Sequence, residues 1–146
     1  MKVIVQKVLS ASCKVNNEIT GSIDKGFMLL VGFTEGDNRE KLLKMAKKIA
    51  NLRIFEDENG KMNLSILDVG GSILSISQFT LYADPYSGNR PSFVNALRGD
   101  LSKPLYFEFN QILRDEYHLV VEEGIFGEHM ILNPICDGPV TINIEY

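Results

Sequence analysis

The stretch GFMLLVGF, residues 26–33, is an uninterrupted apolar run bounded by glycine. Such a run is typical of a strand that is covered on both faces of its sheet. Before it, the alternating apolar residues of segment 2–8 predict a half-buried strand. Segments 12–16 and 18–23 predict two further short strands, because the Asn16-Asn17 pair between them suits a tight turn. The first part of the chain is therefore predicted to form strands in hairpin-like order.

Two helices are predicted from apolar residues that recur at helical spacing. The first covers NREKLLKMAKKIAN, residues 38–51, with Asp37 or Asn38 as its N-cap and lysines on the face opposite the apolar residues. The second is predicted to run from about Ser102, which would be its cap, to Glu116.

The rest of the chain adds more strands. A hairpin signal stands at Asn59-Gly60, and strands are predicted at 52–56, 73–80, 118–122, 128–133 and 139–146. With the two helices, these strands predict an α+β fold built on an antiparallel or mixed, barrel-like β-sheet. The sequence contains no repeat, linker or low-complexity segment, so residues 1–146 are predicted to form a single domain.

Composition narrows the classes of function. No apolar window is long enough to cross a membrane, and two cysteines, Cys13 and Cys136, predict reduced thiols in a cytoplasmic protein. A formal net charge of −4 argues weakly against a general nucleic-acid binder, but leaves room for one that holds only the end of an RNA. The basic residues of the first helix and its end are interpreted as a solvated face; they are Lys44, Lys47, Lys48 and Arg53.

Conventional catalytic motifs are missing from the sequence. It has no glycine-rich phosphate loop, no metal-ligand spacing and no G-x-S-x-G elbow, so no metal or cofactor is predicted. The two histidines, His118 and His129, have no acid partner by spacing and are interpreted as surface residues. The sequence therefore offers no conventionally activated nucleophile.

Two polar segments stand out against this background. Ser77-Gln78-Phe79-Thr80-Leu81 follows an apolar strand, and continued alternation would place Gln78 and Thr80 on one face. These residues either cap the strand or present an amide and a hydroxyl to a ligand. The second segment contains Gly138-Pro139, where a plain turn is the simplest interpretation and a cis bond is possible at modest cost.

Taken together, these segments resemble the D-aminoacyl-tRNA deacylases over the whole length of the chain. The resemblance rests on MKVIVQKV at 1–8, KIANLRIFEDENGKMNLS at 48–65, SQFTLYAD at 77–84, GNRPSF at 88–93 and GPVT at 138–141. It implies a homodimer that hydrolyses the ester between a D-amino acid and the 3′-terminal adenosine of tRNA, and that also removes mischarged glycine. The partners implied are therefore D-aminoacyl-tRNA, glycyl-tRNA and a second copy of the chain.

The resemblance also assigns roles to individual residues. The pocket residues implied as catalytic are Ser77, Gln78, Phe79 and Thr80. A cis Gly138-Pro139 motif is implied to cross the dimer interface into the partner's pocket and, with Leu81 and Met130, to contribute to substrate binding and chiral selection. Lys7 and Asp137 are implied to support that motif. The chain departs from the family at Lys7, where arginine is frequent, and at Cys136, where asparagine is usual; Cys136 is interpreted as a small buried residue rather than a catalytic thiol.

The chemistry suggests a mechanism without a strong nucleophile. We expect the backbone amides of Phe79 and Thr80 to stabilise an oxyanion, while Ser77 and Gln78 orient the terminal adenosine or the attacking water. Thr80 as the nucleophile is the less favoured alternative, because no base is evident to take its proton. The family resemblance also implies that the 2′-hydroxyl of the RNA itself is an alternative essential group. Two other functions stay open: a non-catalytic nucleic-acid end binder or structural dimer, and a small-molecule esterase.

Overall fold

The computed structural model describes residues 1–86 and 88–146. Its strands are β1 (Lys2–Val15), β2 (Glu18–Ile23), β3 (Gly26–Gly32), β4 (Phe55–Glu56), β5 (Met62–Leu64), β6 (Ser72–Ser77), β7 (Val121–Glu123) and β8 (Ile131–Glu145). The helices are α1 (Arg39–Ala50) and α2 (Gly99–Tyr117), and a 3-10 turn spans Phe79–Tyr82.

The main sheet is mixed and curls on itself. Its strand order is β2-β1-β3-β6-β7, and β8 pairs with the other edge of β1. β1 is antiparallel to β2, β3 and β8, whereas β3, β6 and β7 run parallel to one another. The curl brings β2 back toward β7, where a Cβ on Gly21 would stand 2.7 Å from the Glu123 carbonyl oxygen. The predicted α+β class with a barrel-like mixed sheet and two main helices is confirmed.

Apolar residues on both faces of β3 explain why the run at 26–33 has no polar interruption. On one face, Phe27, Leu29 and Val31 join the larger core between the sheet and the two helices. On the other face, Met28 belongs to a smaller core inside the curl of the sheet. A strand with a core on each side buries apolar side chains at every position.

Helix α1 forms as its sequence predicts. The Asn38 side chain accepts a hydrogen bond from the Lys41 N–H at 3.2 Å, which caps the first turn. Helix α2 begins earlier than predicted, at Gly99 with Arg98 in the cap position, so Ser102 lies inside the helix and is buried. The prediction of Ser102 as a cap was wrong because the Ser102 N–H already donates to the Arg98 carbonyl at 2.9 Å, which closes the first turn of the helix before Ser102.

Two predicted pairs of strands are continuous in the structure. Segments 2–8 and 12–16 form one strand, and segments 128–133 and 139–146 form another. The pairing of β1 with β8 shifts register between Gln6 and Val8 and again between Val8 and Ser10. Such irregularities change which side chains are buried although the strand continues. The alternating apolar pattern is therefore interrupted, and the sequence alone suggests that one strand ends and another begins. The tight turn at Asn16-Asn17 is present, with φ of 50° and 66°.

Candidate active site

A cavity of about 540 Å³ opens where β3 and β6 end. Its apolar walls come from these two strand ends, from Leu132 in β8 and from the loop segments 93–99 and 126–130. The polar and charged side chains at the cavity are Ser77, Gln78, Arg98, Ser102, Glu128 and His129. A concave apolar site with a few polar groups is the usual form of a site that binds a small molecule or the end of a larger one.

A change from strand to 3-10 turn brings the polar residues of segment 77–82, here called the pocket turn, to this cavity. β6 ends at Ser77, and the 3-10 turn begins at Phe79. The Gln78 Nε2 group then donates a hydrogen bond to Thr80 Oγ1 at 2.5 Å. The predicted strand through Thr80 is therefore wrong beyond Ser77. Gln78 and Thr80 nevertheless lie together, because the turn joins them.

Two backbone N–H groups of the pocket turn have no hydrogen-bond acceptor among the described residues. The N–H of Gln78 donates to the Val31 carbonyl at 2.7 Å, and the N–H of Leu81 donates to the Gln78 carbonyl at 3.4 Å. Within residues 1–86 and 88–146, the N–H groups of Phe79 and Thr80 have no acceptor. The first N–H groups of a helical turn lack partners inside that turn. The pocket turn therefore carries two adjacent donors, of which the first belongs to a residue that lines the cavity.

The side chains of the pocket turn divide between the cavity and the surface. Phe79 lines the cavity, and its ring packs edge-on against Phe93 with centroids 5.1 Å apart. Thr80 is exposed and does not line the cavity. Leu81 packs against Gly32 instead, where a Cβ would stand 3.2 Å from the Leu81 Cβ. The absence of a side chain at Gly32 thus lets the turn lie close to β3.

Two anchors fix the backbone around the pocket turn. Before it, the buried Tyr106 hydroxyl donates to the Ser75 carbonyl at 2.8 Å, and burial raises the pKa of Tyr106 to about 12. After it, Lys2 Nζ donates to the Leu81 carbonyl at 3.3 Å and lies over the Tyr82 ring. The turn is therefore held by residues of α2 and β1 that are distant in the sequence.

The Gly138-Pro139 pair, here called the edge motif, lies away from the cavity. It sits exposed in β8, its peptide bond is cis, and Gly138 has φ of 120°. A Cβ on Gly138 would stand 2.7 Å from Val140 Cγ2, so both the backbone conformation and the space demand glycine. Neither residue lines the cavity of its own chain.

Side chains of β1 hold the residues that precede and follow the edge motif in the sequence. On one side, Lys7 Nζ lies 3.0 Å from Asp137 Oδ2, with the Lys7 side chain 4% exposed and the Asp137 side chain 34% exposed. On the other side, Gln6 Nε2 donates to the Val140 carbonyl at 3.2 Å, and the Thr141 hydroxyl donates to Gln6 Oε1. The structure thus brings Lys7 and Asp137 together beside the Gly-Pro pair.

The structure separates the predicted site residues into two groups. Ser77, Gln78, Phe79 and Met130 line the cavity. Lys7, Asp137, Gly138 and Pro139 cluster at the outer strand β8. Leu81 and Thr80 belong to the pocket turn without lining the cavity.

The sequence interpretations of the two histidines and of Cys136 have different outcomes. Both histidines are exposed, as predicted, although His129 also lines the cavity. Cys136 is exposed rather than buried, so that prediction was wrong. It lies opposite Val8, where the pairing of β1 with β8 is irregular and the alternation of buried positions breaks down.

Sequence reasoning missed the charged and aromatic residues that loops bring to the cavity, namely Phe93, Arg98, Phe126 and Glu128. Only Phe93 falls in a segment that carries the family resemblance. Among the described residues, no group of three or more histidine, cysteine, aspartate or glutamate side chains is arranged to hold a metal ion. No helix in the described part of the chain has the length and apolar character needed to cross a membrane.

Fold and cavity together define the class: an α+β protein with a cavity of about 540 Å³ at the ends of two parallel strands, bordered by the pocket turn. A family model described as D-Tyr-tRNA(Tyr) deacylase matches residues 4–145. The chain is 52% identical over 145 residues to a D-aminoacyl-tRNA deacylase from Clostridium perfringens (strain SM101 / Type A), with 99% of this chain and 97% of that one covered. The chain belongs to the D-Tyr-tRNA(Tyr) deacylase family, which confirms the predicted resemblance and the predicted hydrolase class.

Solved structures support the same fold. The c-Myc DNA Unwinding Element Binding Protein is 38% identical with a TM-score of 0.95, and the match covers 100% of this chain and 99% of that one. A structure described as that of a probable eukaryotic D-amino acid tRNA deacylase has a TM-score of 0.79 at 19% identity, with 98% of each chain covered. The second likeness concerns the fold alone.

Proposed function

We propose that the protein hydrolyses the ester that links a D-amino acid to the 3′-terminal adenosine of tRNA. Family membership gives the reaction class. The observation that carries the proposal is that the N–H groups of Phe79, which lines the cavity, and of its neighbour Thr80 have no acceptor within the described residues. Two adjacent donors suit the oxygen that becomes negative when an ester carbonyl is attacked.

The reaction needs little activation beyond these donors. The protonated α-amine of an aminoacyl ester withdraws electrons, so its carbonyl is already reactive toward water. One well-placed donor lowers the barrier of such a reaction by about 3–4 kcal/mol, and fixing the ester beside the water adds a further gain from positioning. In this proposal Ser77 and Gln78 orient the terminal adenosine or the attacking water, since both line the cavity.

Thr80 as a nucleophile is the weaker alternative. Within the described residues, the side-chain hydrogen bond of Thr80 comes from the Gln78 amide, and an amide N–H cannot accept the hydroxyl proton. Thr80→Val separates the two mechanisms in single-turnover hydrolysis of D-Tyr-tRNA. We expect a loss below about ten-fold with tRNA binding intact, because the backbone donors remain. Near-complete loss with intact binding would instead support the nucleophile.

The edge motif is proposed to select the chirality of the substrate in the cavity of a second copy. It is exposed in β8 and does not line its own cavity. Exposed apolar residues on β1 and β8, which are Leu9, Ile131 and Ile135, offer a surface for a homodimer. Backbone carbonyls of Gly138 and Pro139 would then hold the α-amine and fill the space that an L side chain needs.

Selection by exclusion explains broad acceptance of D-substrates. A D side chain would point away from the edge motif and would not be read, so many D-amino acids fit one cavity. Glycine has no side chain to clash, so glycyl-tRNA is proposed as a second substrate. For Pro139→Ala we expect faster hydrolysis of L-Tyr-tRNA relative to D-Tyr-tRNA; an unchanged ratio would argue strongly against exclusion by this motif.

Mixing two variants tests whether the site is shared between chains. Ala96→Trp would block the cavity that Ala96 lines, and Pro139→Ala would disable the edge motif. A mixed dimer contains one intact cavity facing one intact motif. We therefore expect mixing to restore discrimination at that site: D-Tyr-tRNA is hydrolysed, whereas L-Tyr-tRNA is hydrolysed only slowly. If each variant keeps its own behaviour after mixing and exchange, the motif acts within one chain.

A nucleic-acid end binder is the second candidate, because the near-identical fold of the c-Myc DNA Unwinding Element Binding Protein belongs to a protein named for binding DNA. Incubating D-Tyr-tRNA with a hundredth of its amount of purified protein distinguishes the two. An enzyme releases the amino acid from all of the tRNA, whereas a binder protects only a stoichiometric fraction. Esters that lack the RNA terminus test the esterase alternative, since a general esterase would hydrolyse them equally well.

A further inference from the structure

A second concave surface lies on the outer face of α1. Its volume is about 460 Å³, and basic side chains dominate its wall: Lys44, Lys47, Lys48 and Arg53. All four are exposed, and Tyr146 closes one side of the groove with its ring 4.1 Å from Lys44 Nζ. We call this surface the basic groove.

The charge of the basic groove is unusual for this chain. Residues 39–53 carry six of the fifteen basic residues and a single acidic one, although the whole chain has a net charge of −4. The other cations of α1 are neutralised: Arg39 pairs with Glu108, and Lys41 pairs with Asp37. Within the described residues, Lys44, Lys47 and Lys48 form no ion pair.

These unpaired lysines repel one another. Positions 44, 47 and 48 are neighbours on one helix face, because residues three and four apart project in the same direction. Like charges at this spacing destabilise an isolated helix. A cluster of lysines with no carboxylate paired to them, in a protein of net negative charge, favours binding to a polyanion. A nucleic-acid backbone, whose phosphates are spaced at short regular intervals, is such a partner.

The basic groove is connected to the candidate active site by direct contacts. Tyr146, which packs on Lys44, exchanges two backbone hydrogen bonds with Met1: its N–H donates at 3.0 Å, and its carbonyl accepts from the Met1 amine at 2.8 Å. The next residue, Lys2, donates to the Leu81 carbonyl of the pocket turn. These contacts run from the basic groove to the pocket turn through the first residues of the chain and Tyr146.

We infer that the basic groove binds the phosphate backbone of the tRNA whose aminoacyl end occupies the cavity. This inference rests on the proposed function for its substrate. The groove would contribute affinity without reading bases, since lysine contacts to phosphate carry no sequence information. It would also leave the chemistry unaffected, because none of its residues lines the cavity.

The test compares two triple variants of equal charge. Lys44→Gln, Lys47→Gln and Lys48→Gln together neutralise the groove. Lys14→Gln, Lys25→Gln and Lys61→Gln together remove the same charge from residues outside it. Tm and far-UV circular dichroism establish that both variants remain folded, as expected for exposed lysines.

Binding of uncharged tRNA is measured by fluorescence anisotropy across a range of salt concentrations. For the groove variant we expect a Kd raised about ten-fold near physiological salt, and a slope of log Kd against log salt reduced by about 2, since each lost phosphate contact removes about 0.7–0.9. The control variant should differ from the unmodified protein by less than two-fold. Replacing the three groove lysines by arginine should keep both the affinity and the slope.

A second substrate separates this inference from the proposed function. On D-aminoacyl-adenosine, which has no RNA backbone, the groove variant should retain the kcat/KM of the unmodified protein. Equal binding losses in the groove and control variants, or an unchanged salt slope, would overturn the inference even if deacylation is observed. Failure of the unmodified protein to hydrolyse either substrate would overturn the proposed function, while the anisotropy measurement would still decide whether the groove binds RNA.

Discussion

The pocket turn and the edge motif are both short polar interruptions of apolar strands, but their surroundings are opposite. The pocket turn follows a strand that is buried on both faces, and a buried hydroxyl from α2 anchors the residues before it. The edge motif lies in an outer strand whose residues alternate between exposed and partly buried, and side chains of β1 support it. The pocket turn is thus packed within its own chain, whereas the edge motif has an exposed side that another molecule can contact.

Under the proposed function, this difference separates two roles: the pocket turn supplies hydrogen-bond donors, and the edge motif supplies selectivity in a second copy of the chain. Rigid support beneath the pocket turn keeps two N–H groups in place, as stabilisation of a transition state requires. Support of the edge motif from one side fixes its shape and leaves the other side free. Substitutions beneath each region should therefore have separable effects, on turnover for the first and on discrimination for the second.

Gly138→Ala should have the largest effect. Its Cβ would stand 2.7 Å from Val140 Cγ2 at a φ of 120°, so the motif must change its conformation. We expect the ratio of kcat/KM for D-Tyr-tRNA over L-Tyr-tRNA to fall by about 100-fold, which corresponds to about 2.7 kcal/mol. Gly60→Ala is the matched control, because Gly60 also has positive φ but open space around a Cβ. Equal ratios in both variants would contradict a selective role for the edge motif.

Removing either partner of the Lys7–Asp137 ion pair should lower the stability of the fold by a different amount. Asp137→Asn leaves the buried Lys7 ammonium without its carboxylate, and we expect the free energy of unfolding to fall by about 3 kcal/mol. Lys7→Met leaves Asp137, which is one-third exposed and stays hydrated, so a loss of about 1 kcal/mol is expected. Urea unfolding measures both. A larger loss for Lys7→Met would mean that packing of the lysine, rather than charge, supports the motif.

Tyr106→Phe should have a smaller effect, confined to the pocket side. Loss of the hydrogen bond to the Ser75 carbonyl is expected to cost about 1 kcal/mol of stability at pH 8, with unchanged D/L discrimination. Burial raises the pKa of Tyr106 to about 12, above its ordinary value of 10. The folded state therefore holds this proton more tightly, and the stability it contributes is lost as the pH rises from 10 to 12.

The pH dependence supplies the check on that prediction. Urea unfolding of the unmodified protein and of Tyr106→Phe at pH 8 and pH 11 should show the difference between them shrinking by roughly 1 kcal/mol. Taking the difference between the free energies of unfolding of the two proteins cancels the contribution of the other tyrosines and of the lysines, which titrate in both. A constant difference would mean that Tyr106 ionises equally easily in the folded and unfolded chains.

Much of the fold is predictable because local pattern and tertiary environment agree. The run at 26–33 is apolar throughout because β3 has a core on each face, and Asn38 caps α1 as its side chain suggests. Prediction failed where one pattern fits two structures. Beyond Ser77 the apolar and polar residues still alternate as in a strand, but the chain forms a 3-10 turn that places Leu81 against Gly32 of β3, a tertiary contact that the alternation does not reveal.

The candidate site is less predictable for a related reason. Residues of the pocket turn are recognisable by sequence, but Arg98, Phe126 and Glu128 reach the cavity from loops whose position depends on the packing of α2 and β8. Cys136 was misjudged because the irregular pairing near Val8 changes which face of β8 is covered. Neither the placement of these loops nor the irregular strand pairing produces a repeating pattern of apolar residues from which it could be predicted.

The fifteen-residue strand β8 has a further consequence for the behaviour of the protein in concentrated solution. A long unpaired border of this kind invites open-ended association with the same border of other molecules, the first step toward fibres. Pro134 and Pro139 each remove an N–H from this strand, and the irregular pairing near Val8 bends it. Pro139, which is proposed to take part in sorting mirror-image substrates, thus also interrupts the strand edge on which aggregates would grow.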